Sequence, residues 1–134
     1  MTPLLMHVPP HALATVWPDI RGPIEELSRG PDEDWLPEHV FHEIMSGGTY
    51  LFTTPDNRGF VITQILATPY SRVLHVWLTS NDFAGVFREF FAQLESIAAE
   101  NNCTRIEWRS DRSGWQRLIP GVRATTQYSY RVGA

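Results

Sequence analysis

Every cation in this 134-residue chain is an arginine: its 11 basic residues include no lysine. That excludes imine chemistry, which needs a lysine amine, and a Walker A loop, whose lysine reaches the nucleotide phosphates. An arginine-favouring codon usage accounts for the bias; selection against modification of the chain's own amines is the sharper alternative. His75 has a side chain that titrates near neutrality, the range in which a general acid or base works, although a core histidine bonded to a neighbour is the plainer reading. His39 and His42 stand three residues apart, with Glu43 adjacent. A metal site would need further ligands, such as His7 or His11, brought in by folding, and an ordinary surface helix explains the spacing as well. Cys103 is the one cysteine; a nucleophile would need a base beside it, whereas a small buried thiol is the common alternative. Arg109-Ser110-Asp111-Arg112 is a charged loop that could touch a phosphate.

These residues sit in a chain with a formal net charge of -4, 43% hydrophobic and 12% aromatic residues. That is the composition of one globular domain, residues 1–134, long enough to bury a core. The acidic balance argues against nucleic acid as a partner. The apolar runs are too short for a membrane span. The N-terminus lacks the basic and apolar regions of a secretory signal. A lone cysteine and no sign of export point to a cytoplasmic setting.

The elements that must position these side chains follow from periodicity. Prolines at 9, 10, 18 and 23 suggest two short helices, 10–17 and 22–29, broken near Trp17-Pro18, because proline cannot continue a helix. Residues 37–46 read as a helix ended by Gly47-Gly48. Strands follow at 49–54, 60–67 and 72–79, joined by turns. Along the third, Leu74, Val76 and Leu78 should share one face, and Val73, His75 and Trp77 the other. Residues 83–100 form an amphipathic helix that Ser80, Asn81 or Asp82 could cap. A strand at 104–109 turns Ile106 and Trp108 one way and Arg105, Glu107 and Arg109 the other. A short helix at 112–119 should pack Trp115 against Trp108. The last strand alternates Val122, Ala124, Thr126, Tyr128, Tyr130 and Val132 on one face. The fold class is therefore α/β: an antiparallel meander plus a parallel strand–helix–strand pair, about five or six strands in all, flanked by helices.

That order resembles the acyl-CoA N-acyltransferase (GNAT) superfamily over nearly the whole chain. Residues 37–59 resemble its second helix and first hairpin. Ile106-Glu107-Trp108-Arg109, followed by Gly114-Trp115 through Pro120-Gly121-Val122, resembles its fifth strand and fourth helix. A cysteine before a strand (Cys103), then Gly114-Trp115, then Gly121 is similar to small GNAT-like proteins of bacteriophages. The resemblance implies transfer of an acyl group from acetyl-CoA or another acyl-CoA to an amine on a small molecule or protein. It implies that the backbone of Val76, Trp77 and Leu78 pairs with the pantetheine arm. It implies that the loop Asn81, Phe83, Ala84, Gly85 and Val86 holds the pyrophosphate on N–H groups at a helix start, with Arg88 one turn in. His75 or Glu107 would take the amine proton; Glu107 could instead pair with Arg105 or Arg109. Asp32-Glu33-Asp34-Trp35 would border the acceptor site and could attract a cationic amine. Tyr128 and Tyr130 could protonate the leaving thiolate where many family members use a tyrosine; Arg117 stands at that position.

The loop Ser80-Asn81-Asp82-Phe83-Ala84-Gly85 departs from the family pattern Arg/Gln-x-x-Gly-x-Gly/Ala, having one glycine and no leading Arg or Gln. The alternative expectation is therefore a non-catalytic GNAT-like phage protein, a virion component or host-interaction factor with a degenerate pyrophosphate loop. Its partners would be virion proteins or a second copy of the chain.

Overall fold

The computed structural model describes residues 3–30, 33–80, 82–110, 114–130 and 132–133. Its elements run β1 (Met6–Val8), α1 (Leu13–Ser28), α2 (Pro37–Ser46), β2 (Thr49–Thr53), β3 (Phe60–Ala67), β4 (Arg72–Thr79), α3 (Phe87–Glu100), β5 (Arg105–Trp108) and α4 (Trp115–Leu118). Single 3-10 turns at Pro10–Ala12 and Ala84–Val86 precede α1 and α3. The strands form one mixed sheet in the order β1-β2-β3-β4-β5. The first four pair antiparallel, and β5 joins β4 in parallel after the α3 crossover. This is the expected α/β architecture, with five strands.

Each sheet face carries a core. On one, α1 and α2 bury Leu13, Ile20, Ile24, Val40 and Ile44 against Leu51, Phe60, Ile62 and Leu78. On the other, α3 buries Phe90, Leu94, Ile97 and Ala98 against Phe52, Val61 and Leu74. The expected pair of broken helices near the N-terminus is one continuous helix, with Pro18 and Pro23 inside it. Each proline removes a backbone donor and crowds the preceding turn, at a cost of about 3 kcal/mol. The apolar positions 13, 16, 17, 20, 24 and 27 nevertheless keep helical spacing straight through both prolines, and all six pack into the core. Burial of that stripe holds the helix together.

The N-terminal strand β1 was not expected. Its entry is fixed by Gln93 on α3, which donates to the Leu5 carbonyl at 2.6 Å and accepts from the Leu5 N–H at 2.8 Å. The strand expected at 122–132 is not formed by the described residues: 122–130 make no ladder, Tyr128 and Tyr130 are 90% and 89% exposed, and residue 131 lies outside the described residues. Alternation specifies a face but supplies no neighbour, and a strand also needs a backbone to pair with. The short helix is a single turn, and it does bring Trp115 against Trp108, 5.4 Å between centroids and edge-to-face.

β4 departs from simple alternation. Ile62 pairs with Leu78 but Thr63 pairs with Val76, so Trp77 is an extra residue, a β-bulge. The bulge reverses the parity of everything after it. Leu74 and Val76 share one face as expected, the one that α3 covers, but Leu78 joins Trp77 on the α1–α2 face. The predicted common face for Leu74, Val76 and Leu78 is corrected accordingly.

Candidate functional site

The bulge coincides with the end of the β4–β5 ladder. That ladder runs from Val73 opposite Arg105 to Val76 opposite Trp108. Beyond it, Trp77, Leu78 and Thr79 continue β4 with no β5 partner among the described residues. A strand edge without a neighbour offers backbone N–H and C=O groups to an extended ligand.

Beside this opening lies a cavity of about 300 Å³, lined by Glu33, Gln64, His75, Val76, Trp77 and Arg109. His75 sits in register with Gln64 on β3 and with Glu107 on β5. Burial pushes the imidazole pKa below its ordinary value, the Glu107 carboxylate pulls it back up, and the Arg109 guanidinium pushes it down again. The net direction is downward, so the imidazole stays neutral, with a free lone pair, at neutral pH. The His75 imidazole makes no hydrogen bond among the described residues, so its ring is not tied to a neighbour as in the plainer reading. Glu107 instead pairs with Arg105 at 3.1 Å. It faces His75 across the ladder and acts on it as a charge.

The acidic loop closes one side. Trp35 donates its indole N–H to the Glu33 carboxylate, and its ring meets Trp77 edge-to-face at 5.8 Å. Glu33 reaches toward Arg109, with 3.9 Å between charged atoms. Sequence reasoning placed Glu33 at the border of an acceptor site but did not put Gln64 or Arg109 in it. The alternation of Arg105, Glu107 and Arg109 on the His75 side was the available signal.

The expected pyrophosphate loop lies between β4 and α3. Phe83 is buried and stacks on Phe90 at 4.3 Å, so its side chain leaves the loop surface. The Val86 N–H already donates to the Phe83 carbonyl at 3.1 Å. The 3-10 turn delays α3 until Phe87, so the start of that helix brings the N–H groups of Phe87, Arg88 and Glu89 beside those of the loop. Among the described residues no side chain caps α3. The Ser80 hydroxyl accepts from the Phe60 N–H instead, Asp82 is exposed, and Asn81 lies outside the described residues. Ala84, Gly85 and Arg88 are exposed, and a Cβ added at Gly85 would meet open space.

Among the described residues, two buried donors lack partners: the Thr63 hydroxyl, opposite Val76 next to the bulge, and the Trp115 indole N–H. Tyr128 is not brought to the cavity. His39 accepts from the Leu36 N–H at 3.1 Å, and His42 lies against Ser46; among the described residues no three potential metal ligands converge. A larger depression of about 410 Å³ lies on the surface of α1, lined by Gly22, Pro23, Glu25, Glu26 and Arg29. Glu25 there is already paired with Arg21 and Arg29, so the chemistry points to the His75 cavity. No helix among the described residues is long and apolar enough to cross a membrane.

No protein-family model and no curated protein matches the sequence. Solved structures do match the fold. An aminoglycoside acetyltransferase from an uncultured soil metagenomic sample superposes with a TM-score of 0.69 at 10% identity, over 96% of this chain and 94% of that one. A ribosomal-protein-alanine N-acetyltransferase from Brucella melitensis biovar Abortus 2308 gives 0.65 at 16% identity, over 95% and 98%. An acetyltransferase of Trypanosoma brucei gives 0.62 at 14% identity, over 95% and 96%. The chain has the GNAT fold, shared end to end with acetyltransferases that differ from it at most positions.

Proposed function

We propose that this protein is an N-acyltransferase that takes an acyl group, most simply acetyl, from acyl-CoA and places it on an amine. The observation that carries this reading is one juxtaposition: a stretch of β4, Trp77–Thr79, with no partner on its β5 side among the described residues, opens beside a cavity holding a neutral histidine whose ring makes no hydrogen bond. The fold neighbours, acetyltransferases by name, support the same reaction class.

The residues fit such a cofactor. The backbone of Val76, Trp77 and Leu78 would hold the pantetheine arm by strand-like hydrogen bonds. The N–H groups of Phe87–Glu89 and the exposed Arg88 guanidinium would hold the pyrophosphate. Phe83, turned into the core, and Gly85, facing open space, leave the approach clear. When bound, acyl-CoA supplies the thioester whose C–S bond breaks as the amide C–N bond forms. His75 takes the proton that the amine gives up, its neutral form favoured by burial. Glu107 steadies the imidazolium that results. Trp77 walls the cavity, backed by Trp35, and excludes water from the amine.

Titration calorimetry with acetyl-CoA tests this reading. Micromolar binding is expected, weakened about tenfold by Arg88→Glu and untouched by His75→Asn, which abolishes transfer instead. No binding at millimolar cofactor overturns it and leaves the non-catalytic reading.

A further inference from the structure

Arg109 is the least satisfied cation of the cavity. Its contact with Glu33, at 3.9 Å, is too long for a hydrogen bond. The Glu33 carboxylate is also engaged by the Trp35 indole N–H. By contrast, Arg21 holds two carboxylates at 2.7 and 3.0 Å, Arg105 holds Glu107 at 3.1 Å, and Arg72 donates to the Asn101 carbonyl at 3.0 Å. The guanidinium of Arg109 thus lines the cavity with its donors free of hydrogen-bonded partners among the described residues. A guanidinium is a planar fork whose geometry matches a carboxylate.

Its place in the sheet relates it to the histidine. Glu107 lies opposite His75 in the ladder, and Arg109 is two residues further along the same side, roughly 7 Å in strand geometry. Both His75 and Arg109 line the one cavity of about 300 Å³, the size of a small-molecule site. An acceptor whose amine meets His75 therefore has a cationic fork within the length of one small molecule.

We propose that the acceptor is a small amino acid, bearing a carboxylate beside the amine, and that Arg109 is the residue that reads the carboxylate. Glu33 holds the guanidinium loosely and releases it to the incoming carboxylate. Amines of similar size without the anion leave Arg109 unsatisfied and bind more weakly. The inference rests on the acyl-transfer reading only for which end of the acceptor reacts; recognition of the carboxylate does not need the cofactor.

The test is therefore direct binding, measured by calorimetry on the full chain without cofactor, using L-leucine and L-leucinamide as probes and other small amino acids with their amides as further pairs. The acid should bind about tenfold or more tightly than its amide. Arg109→Gln, at an exposed position that the core does not use, should erase the difference; its melting curve reports that it is folded. Glu33→Gln should keep the preference, because the fork remains. Equal affinity for acid and amide, no binding of either, or a preference that survives Arg109→Gln overturns the proposal. So does a loss shared by Glu33→Gln, which would mean that the ion pair and not the fork was at work. Should acetyl-CoA fail to bind while leucine does, the acyl-transfer reading falls and the amino-acid site stands.

Discussion

Up to Glu100, both faces of the sheet bury large side chains; among the described residues beyond it, none is buried. Leu13, Ile20, Phe60, Ile62 and Leu74 are fully enclosed, whereas Ile106 and Trp108 are partly open and residues 123–130 are exposed. The cavity draws on both regions: Gln64, His75 and Trp77 come from the packed sheet, Arg109 from the thinly packed part. Rigid support therefore stands under the group proposed to accept the proton, while the group proposed to read the acceptor sits where backbone openings are easier. On that proposal, stability and substrate choice are separable.

The largest expected effect tests the packed side. Phe60→Ala removes a fully buried ring and should cost about 3–5 kcal/mol in urea unfolding. Ile106→Ala, on β5, should cost less than half as much; equal costs would break the contrast. His75→Asn should lower acetyl transfer about 10²–10⁴-fold while leaving cofactor binding intact, measured by steady-state rates and calorimetry. In the wild type the rising limb of kcat/KM should lie below the ordinary histidine value of about 6.5, because burial and Arg109 together outweigh Glu107. Glu107→Gln should move that limb lower and Arg109→Gln higher. Glu33, the other charged group on the cavity, should matter less; a limb above 6.5 would remove His75 as the base. Trp115→Phe deletes an unpartnered buried N–H and should leave stability unchanged or raise it by up to about 1 kcal/mol. The smallest effect belongs to the tail: ending the chain after Gly121 should change stability by less than about 0.5 kcal/mol. A marked loss would show that the exposed tyrosines do pack in solution.

Much of this architecture is legible in the sequence. Helix α2 and strands β3 and β4 fall where periodicity and glycine punctuation place them. What escaped has physical reasons. α1 was divided because a local rule about proline was set above an apolar stripe that continues through both prolines. β1 is three residues long, too short for any period, and is held by a glutamine far along the chain. The segment ending in Tyr128 alternates cleanly, yet finds no ladder. His75 and Glu107 were picked out separately as candidate bases, but only the β4–β5 register shows them to be opposite one another. Nothing in a linear reading brings Glu33 to Arg109. The structural neighbours speak to the fold and add nothing to the expectation of a phage origin.

The bulge at Trp77 gives β4 something like a reading frame. Before it, odd-numbered side chains enter the α1–α2 side; after it, even-numbered ones do. Deleting Trp77 would restore regular pairing and leave Leu78 opposite Ile62, in its core; one further deletion would act as a frameshift in space, turning Leu78 out of that core and Thr79 into it. With the bulge kept, insertions or losses in pairs would keep the frame. The strand's length should therefore drift in twos, wherever Trp77 keeps its place in the cavity wall and Leu78 its place in the core.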